Sequence, residues 1–369
     1  MLCAVESQIG ERMTRTNILV RSLICAMALM AIAGVTRAAP GFSVTKLRDN
    51  VFTVMRTDPP GLAVESNSGF IECADYVIVV DAQSNDATTS QVLAQLRLYT
   101  NKPVRYLVNT HWHDDHIVGT RVYKDAFPNM KVIGSAASVD HLPNSGKKNR
   151  EQFHPAIPDV LASFRKSLET GKTGADKPLS DEQRRSLESD LNLGEGNATV
   201  PDDFVAILPD IAVHDKYSIR EGGCAVDVLG LGNAHTTGDL VVHLPMQGVA
   251  FVGDIVGWPV PLVDAEQSRV RDWSATLKRV RGLEAIAVVP GHGPLMRDNV
   301  QIDRTVELMT AITQRVGAER AKGGSLEDAR KHIDLSAFRA QFANDSEVNG
   351  ALFDAYVAGP AVTNFWNYP

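Results

Sequence analysis

Hydrophobic and polar positions along this chain change their period several times, and each change marks an element. Phe42–Arg56 ("FSVTKLRDNVFTVMR") holds short alternating stretches, which predict strands. Two apolar runs follow, Gly69–Glu72 and Tyr76–Asp81, separated by a polar turn in a hairpin pattern. In "DATTSQVLAQLRLYT" the apolar residues Val92, Leu93, Leu96 and Leu98 recur at helical spacing, with Asp86 or Thr88 as the expected cap. "VRYLVNT" reads as a short buried strand, "HIVGTRVYKDAF" as a helix and "KVIGS" as a strand, so the first half alternates between the two element types.

The pattern changes between about Pro143 and Asp210. "PDVLASFRKSLETG" and "SDEQRRSLESDLNLG" predict two charged amphipathic helices. They form an insertion over about 143–210 that either covers the functional site or is a surface excursion. Strands return in "DKYSIR", "AVDVLGLG", "DLVVHLP" and "VAFVGDIV", followed by the helix "VRDWSATLKRVRGL" and the strand "AIAVVPGHG". From about Asp298 to Phe365 the chain is helical, with a long helix to Ala321 and shorter ones from near Ser325 and Ser336. Ile333, Leu335, Phe338 and Phe342 give this end an apolar face, to be packed on the body or on a second chain. No internal repeat or low-complexity tract interrupts this order.

Residues 1–38 read as an export leader. Arg15 and Arg21 precede the apolar or small stretch Leu23–Val35, and Thr36 and Ala38 suit a cleavage site after Ala38. Met13 stands just before this pattern as the expected start. The apolar run is shorter than the roughly 20 residues of a membrane span, so no stable membrane anchor is expected after cleavage, and the protein is expected in the periplasm or outside the cell. The domain reading is therefore a leader over 1–38, a catalytic domain over 39–300 carrying the insertion, and a helical extension over 301–369. The net charge of −7 becomes −9 when the leader takes four arginines and two glutamates with it. An acidic balance of this kind argues against nucleic acid as a partner. Cys73 and Cys224 remain after cleavage, as free thiols or as one bridge.

The chemistry concentrates in "NTHWHDDHIVGT", Asn109–Thr120. In an extended loop residues two apart point the same way, so His111 and His113 can reach one cation together. Asp115 and His116, where the chain turns toward a helix, can reach a second. Imidazole nitrogens and carboxylate oxygens suit zinc-like ions. Three further candidates each end an apolar strand: His235 in "GLGNAHTTGDL", Asp254 in "FVGDIVG" and His292 in "VVPGHGP". Asp114 and Trp112 alternate away from the cluster, as a solvated or supporting acid and a packing aromatic. Trp258 either lines the substrate mouth or packs its loop. His141, His154, His214, His243 and His332 read as ordinary surface or hydrogen-bonded histidines.

HxHxDH, then AHTxGD, then GD after an apolar strand, then PGHG, in this order over roughly residues 45–295, resembles the metallo-β-lactamase superfamily. The resemblance implies an α/β fold, an αββα sandwich with metals at one edge between two sheets. It implies that His111, His113 and His235 bind a first metal, that Asp115, His116 and His292 bind a second, and that Asp254 bridges them. It also implies two Zn²⁺ ions, or iron as the alternative, and a bridging hydroxide that attacks the carbonyl of a small ester, thioester, lactone or lactam. Asp115 would orient that nucleophile or take its proton.

Within the family the departures narrow the choice. The cysteine-containing zinc β-lactamases place Cys where Asp254 stands and Lys three residues later, where this chain has Gly257. A dinuclear hydrolase of a small carbonyl substrate is therefore the expectation. β-Lactam hydrolysis and a mononuclear-iron sulfur dioxygenase are the alternatives.

Overall fold

A computed structural model of the protein describes residues 41–369. The leader read over 1–38 lies outside the described residues. Alternation along the strands sets the architecture. In Val77–Val80, Ile78 and Val80 face one apolar cluster while Val77 and Val79 face another. A strand buried on both faces needs a layer on each side.

Among the described residues twelve strands form two sheets: β1 (Phe42–Arg48), β2 (Val51–Arg56), β3 (Ser68–Glu72), β4 (Val77–Val80), β5 (Val104–Val108), β6 (Lys131–Ser135), β7 (Ile211–Val213), β8 (Lys216–Ile219), β9 (Val226–Leu229), β10 (Val241–Leu244), β11 (Val249–Gly253) and β12 (Ala287–Pro290). The larger sheet runs β1 to β7 in sequence order, and the smaller runs β12-β11-β10-β9-β8. Pairing is antiparallel from β1 to β4 and parallel from β4 to β7. In the smaller sheet only β11 and β12 pair in parallel.

Inner faces of the two sheets meet in one core that includes Ile71, Ile78, Val108, Val226, Val242 and Phe251. The outer face of the larger sheet packs on the helices Asp86–Arg97 and Thr120–Ala126 through Val92, Leu96 and Tyr123. The smaller sheet's outer face is covered by the helix Val270–Arg281, through Trp273, Leu277 and Val280, and then by the C-terminal helices. The layers therefore run helix, sheet, sheet, helix, as the αββα expectation requires.

Five helices close the chain: Val300–Ala321, Leu326–His332, Ser336–Ala343, Glu347–Phe353 and Gly359–Asn367. Leu335 and Phe342 are buried among them and against the body, with Ile333 and Phe338 packed at the margin. The apolar face seen in the sequence is thus spent on this chain's own body.

Some local expectations need correction. The helix Asp86–Arg97 is capped by Asn85, whose side chain accepts from the Thr88 amide, and not by Asp86 or Thr88. Asn85 precedes the periodic stretch by one more residue, and its extended backbone lets the side chain fold back over the first turn. The single helix expected after the histidine cluster is two, Asp114–Ile117 and Thr120–Ala126. The expected helices of the insertion are Ile157–Thr170 and Asp181–Asn197, preceded by a further helix, Lys147–Phe153. Asp190 ties the insertion down by accepting from the amides of Leu62 and Ala63.

Cys73 and Cys224 are bonded, with Cα atoms 5.4 Å apart across 151 residues of sequence. The bridge joins the turn after β3 to the loop before β9, one sheet to the other. Closing so long a loop restricts the unfolded chain. Cys73→Ser should therefore lower the unfolding free energy by about 2–5 kcal/mol, read as a fall in the urea midpoint. An unchanged midpoint would contradict this.

Candidate metal centre

Strand ends build the site. β5 stops at Val108 and releases the loop that carries His111, His113, Asp115 and His116. β9 leads to the loop of His235, β11 ends one residue before Asp254, and β12 ends two before His292. Parallel neighbours β4 and β5, and β11 and β12, present their carboxyl ends on the same side, which is where open α/β sheets place ligands.

Backbone freedom makes the close approach possible. Gly253 sits at φ +50, a conformation that favours glycine. A Cβ on Gly291 would lie 1.8 Å from Asp254 Oδ1, so only glycine lets that strand end pass the carboxylate.

All seven residues singled out in the sequence converge. Asp254 is 3% exposed and central. Its Oδ2 lies 3.2 Å from His292 Nε2, 3.5 Å from His235 Nε2 and 4.0 Å from His111 Nε2, and its Oδ1 lies 3.3 Å from His116 Nε2. Asp115 Oδ2 lies 3.4 Å from His116 Nε2 and 3.2 Å from His292 Nε2. His113 Nδ1 faces His235 Nε2 at 2.8 Å. Among the described residues three groups of side chains are close enough to hold a cation: His111 with His113 and His235, His111 with His116 and Asp254, and Asp115 with His116 and His292.

The remaining ring nitrogens are held from behind. His116 Nδ1 meets Asp81 Oδ2 at 2.9 Å, His235 Nδ1 meets the Leu262 carbonyl at 2.6 Å, and His292 Nδ1 meets the Glu65 carbonyl at 3.0 Å. His111 Nδ1 lies 3.2 Å from Thr110 Oγ1, and His113 Nε2 lies 3.4 Å from Gln267 Oε1. Such partners set the tautomer and aim the other nitrogen inward. The inward set is Nε2 for four histidines and Nδ1 for His113.

Five of the inward atoms are buried without a hydrogen bond: Nε2 of His111, His116 and His292, Asp115 Oδ2 and Asp254 Oδ1. An unpaired buried polar atom costs about 1–3 kcal/mol, and five at one point are a set that a cation satisfies. Imidazole and carboxylate donors are those that zinc-like and iron ions take. The residues therefore fit metal.

Burial and facing charges set the protonation of these groups without a cation. Burial pushes the pKa of His111 well below its usual value, helped by the neighbouring His116, and pushes His235 down to about 4, so both rings stay neutral. Burial opposes charge on Asp115 and Asp254, but the facing histidines outweigh it and hold both carboxyls well below their usual range. Burial likewise opposes charge on His116 and His292. There the carboxylates win, lifting His116 well above its ordinary value and His292 to about 10.

Other residues fall where the sequence left them open. Trp112 is buried, stacks on His141 at 4.1 Å and donates to Gln267. Asp114 turns outward to an ion pair with Arg150. His154 pairs with Asp202. Trp258 stands beside His292 and Tyr356 at the rim of a small cleft over the site.

Sequence reasoning missed Asp81, Glu65 and Asp239. Asp81 directly follows β4 at φ 59 and accepts from the Thr110 amide, the Thr110 hydroxyl and His116. An acid that ends an apolar strand is the signal that marked Asp254, and it marks Asp81 equally. Asp239 accepts from the Thr236 amide and hydroxyl and so shapes the loop of His235, while burial lifts its pKa to about 7. Glu65, buried and bonded to Ser84, has its pKa lifted to about 7 by burial; it lies in a polar loop with no pattern to betray it.

A sequence model of the metallo-beta-lactamase superfamily matches residues 62–292, more than half of the chain. The chain belongs to the metallo-beta-lactamase superfamily. A linear primary-alkylsulfatase from Pseudomonas sp. (strain ATCC 19151) is 23% identical over 247 residues, which are 64% of this chain and 43% of that protein. The chain thus spans less than half the length of this relative. The metallo-beta-lactamase FIM-1 from Pseudomonas aeruginosa, solved in its mono-zinc form, is 17% identical with a TM-score of 0.50, covering 74% of this chain and 98% of that one. A metallo-beta-lactamase from Pontibacter korlensis is 18% identical with a TM-score of 0.49, covering 73% and 99%. The likeness to FIM-1 is one of fold.

Asp81 gives a direct test of the supporting shell. Asp81→Asn keeps the shape and tolerates the positive φ but weakens the hold on His116. Zinc affinity, measured by competition with a chromogenic chelator, should fall about 10–100-fold. Unchanged affinity would show that His116 needs no such support.

Proposed function

We propose that this protein is an exported hydrolase that uses two zinc ions to cleave a small molecule at its carbonyl, whether ester, thioester, lactone or lactam. One observation carries the reading: five buried donor atoms without hydrogen bonds point to one place, from two groups of side chains with Asp254 between them. His111, His113 and His235 would hold one ion, Asp115, His116 and His292 the other, and Asp254 would touch both. Bound there, the ions supply Lewis acidity, drawing negative charge from the scissile group and bringing the pKa of water toward roughly 7.

The chain's own residues do the rest. Asp115 is the least buried carboxylate of the set, with its side chain 15% exposed, and it lines the cavity that leads to the site. It orients the attacking water or accepts its proton. Asp81 and the Leu262 and Glu65 carbonyls keep the imidazoles from turning. Burial of Asp254 and His116 keeps bulk water from competing. Export is supported by the leader pattern and by the Cys73–Cys224 bridge, since such bonds persist in oxidising compartments.

A sulfate ester is the second reading, favoured by the alkylsulfatase relative. Both readings call for the same residues. A substrate panel on protein of measured metal content tests them. Two zinc ions per chain, turnover of esters, thioesters or lactones, and little of nitrocefin are expected. Asp115→Asn should lower kcat by about 10²–10⁴-fold. One iron per chain with oxygen uptake would overturn hydrolysis, and nitrocefin as the best substrate would make the protein a β-lactamase.

A further inference from the structure

The cavity that ends at Asp115 has a volume of about 530 Å³, within the range of small-molecule sites. Its wall is mostly carbon: Leu62, Val118, Ile157, Val160, Leu161 and Phe164. Three segments outside the sheets combine to make it. These are the loop around Leu62, the insertion helices, and Tyr356 of the C-terminal helices, whose hydroxyl donates to the Leu62 carbonyl.

Polar groups along this wall are largely spent on one another. Arg150 is paired with Asp114, His154 Nδ1 with Asp202, and Asp190 with two amides. Besides Asp115 Oδ2, His154 Nε2 and Asn197 Oδ1 are the buried wall atoms left without a hydrogen bond among the described residues. The wall offers no free charge to recognise a second ionic group. It does offer exposed carbon: Leu62 is 45% exposed, Val160 40% and Phe153 67%. Large apolar residues exposed together mark a binding surface. Here they form a concave surface that leads to a reactive carboxylate.

We propose that the insertion and Tyr356 form a binding site for a single unbranched apolar chain, and that the substrate is a single-chain amphiphile whose scissile bond lies at Asp115. This rests on the hydrolase reading for the bond and on the cavity alone for the chain. The continuity of the cavity with Asp115 selects a substrate tail over a partner protein, because a docked surface would not need to reach the carboxylate. The insertion therefore sets specificity, and the strand ends set the chemistry.

Calorimetric titration of the full zinc-loaded chain with octanoate, decanoate and dodecanoate, each below its micelle-forming concentration, tests this. One chain should bind per protein, with Kd falling about fourfold for each added methylene. Val160→Asp, at a partly exposed position that tolerates charge, should flatten the series to less than twofold per methylene. The wild-type series needs no variant to be decisive. A Kd independent of chain length overturns the proposal, as does uptake of many chains per protein or loss of binding on forming a dimer. Chain-dependent binding without turnover of any ester or sulfate would retain the chain site and remove the hydrolase reading. Turnover of short esters with a flat binding series would do the reverse.

Discussion

Asp254 carries its charge inside the protein, surrounded by imidazoles, and the rest of the structure can be read as the means of keeping it there. Burial disfavours a lone carboxylate, and four histidine nitrogens within 4.0 Å are what outweigh that penalty. None of the four is its neighbour in sequence. They arrive on three loops, His111 and His116 on one and His235 and His292 on two others, so the two sheets must hold their relative position closely. The apolar core between them, with Ile78, Val108, Val242 and Phe251, supplies that rigidity. Asn67 adds to it by donating to the carbonyls of Pro290 and Gly293, joining the start of β3 to the loop of His292.

A division of labour follows. Sheet ends place the donor atoms, a ring of hydrogen bonds turns them inward, and two helical regions decide what can reach them. The insertion is anchored through Asp190 to the loop before β3 and through Glu182 to Ser346 of the C-terminal part. The regions that bound the approach are thus tied to one another. Chemistry and specificity can vary separately on such a scaffold.

Much of this was legible in the residues themselves. Apolar runs of four or five residues located the strands, and the histidine spacing, with Asp254 and His292 after further strands, located the site. What escaped notice has physical reasons. Asn85 caps a helix through a backbone conformation that apolar periodicity does not report. Asp81 resembles any acid at a strand end until the fold brings His116 to it. Glu65 acts through its carbonyl as well as its carboxylate, and a carbonyl leaves no mark on a sequence. The insertion appeared as two helices, but only packing shows that the apolar face of the first, Ile157–Thr170, lines a route to Asp115. The pairing of Cys73 with Cys224 likewise needs the third dimension.

The central claim is that the seven converging side chains exist to hold a pair of cations. Diffraction from zinc-soaked crystals, collected on either side of the zinc absorption edge, tests it most directly. The account predicts two anomalous peaks roughly 3.5–4 Å apart, one among His111, His113 and His235 and one among Asp115, His116 and His292, with Asp254 between. Density that shows these side chains without any anomalous peak, or zinc bound only elsewhere on the protein, would contradict it.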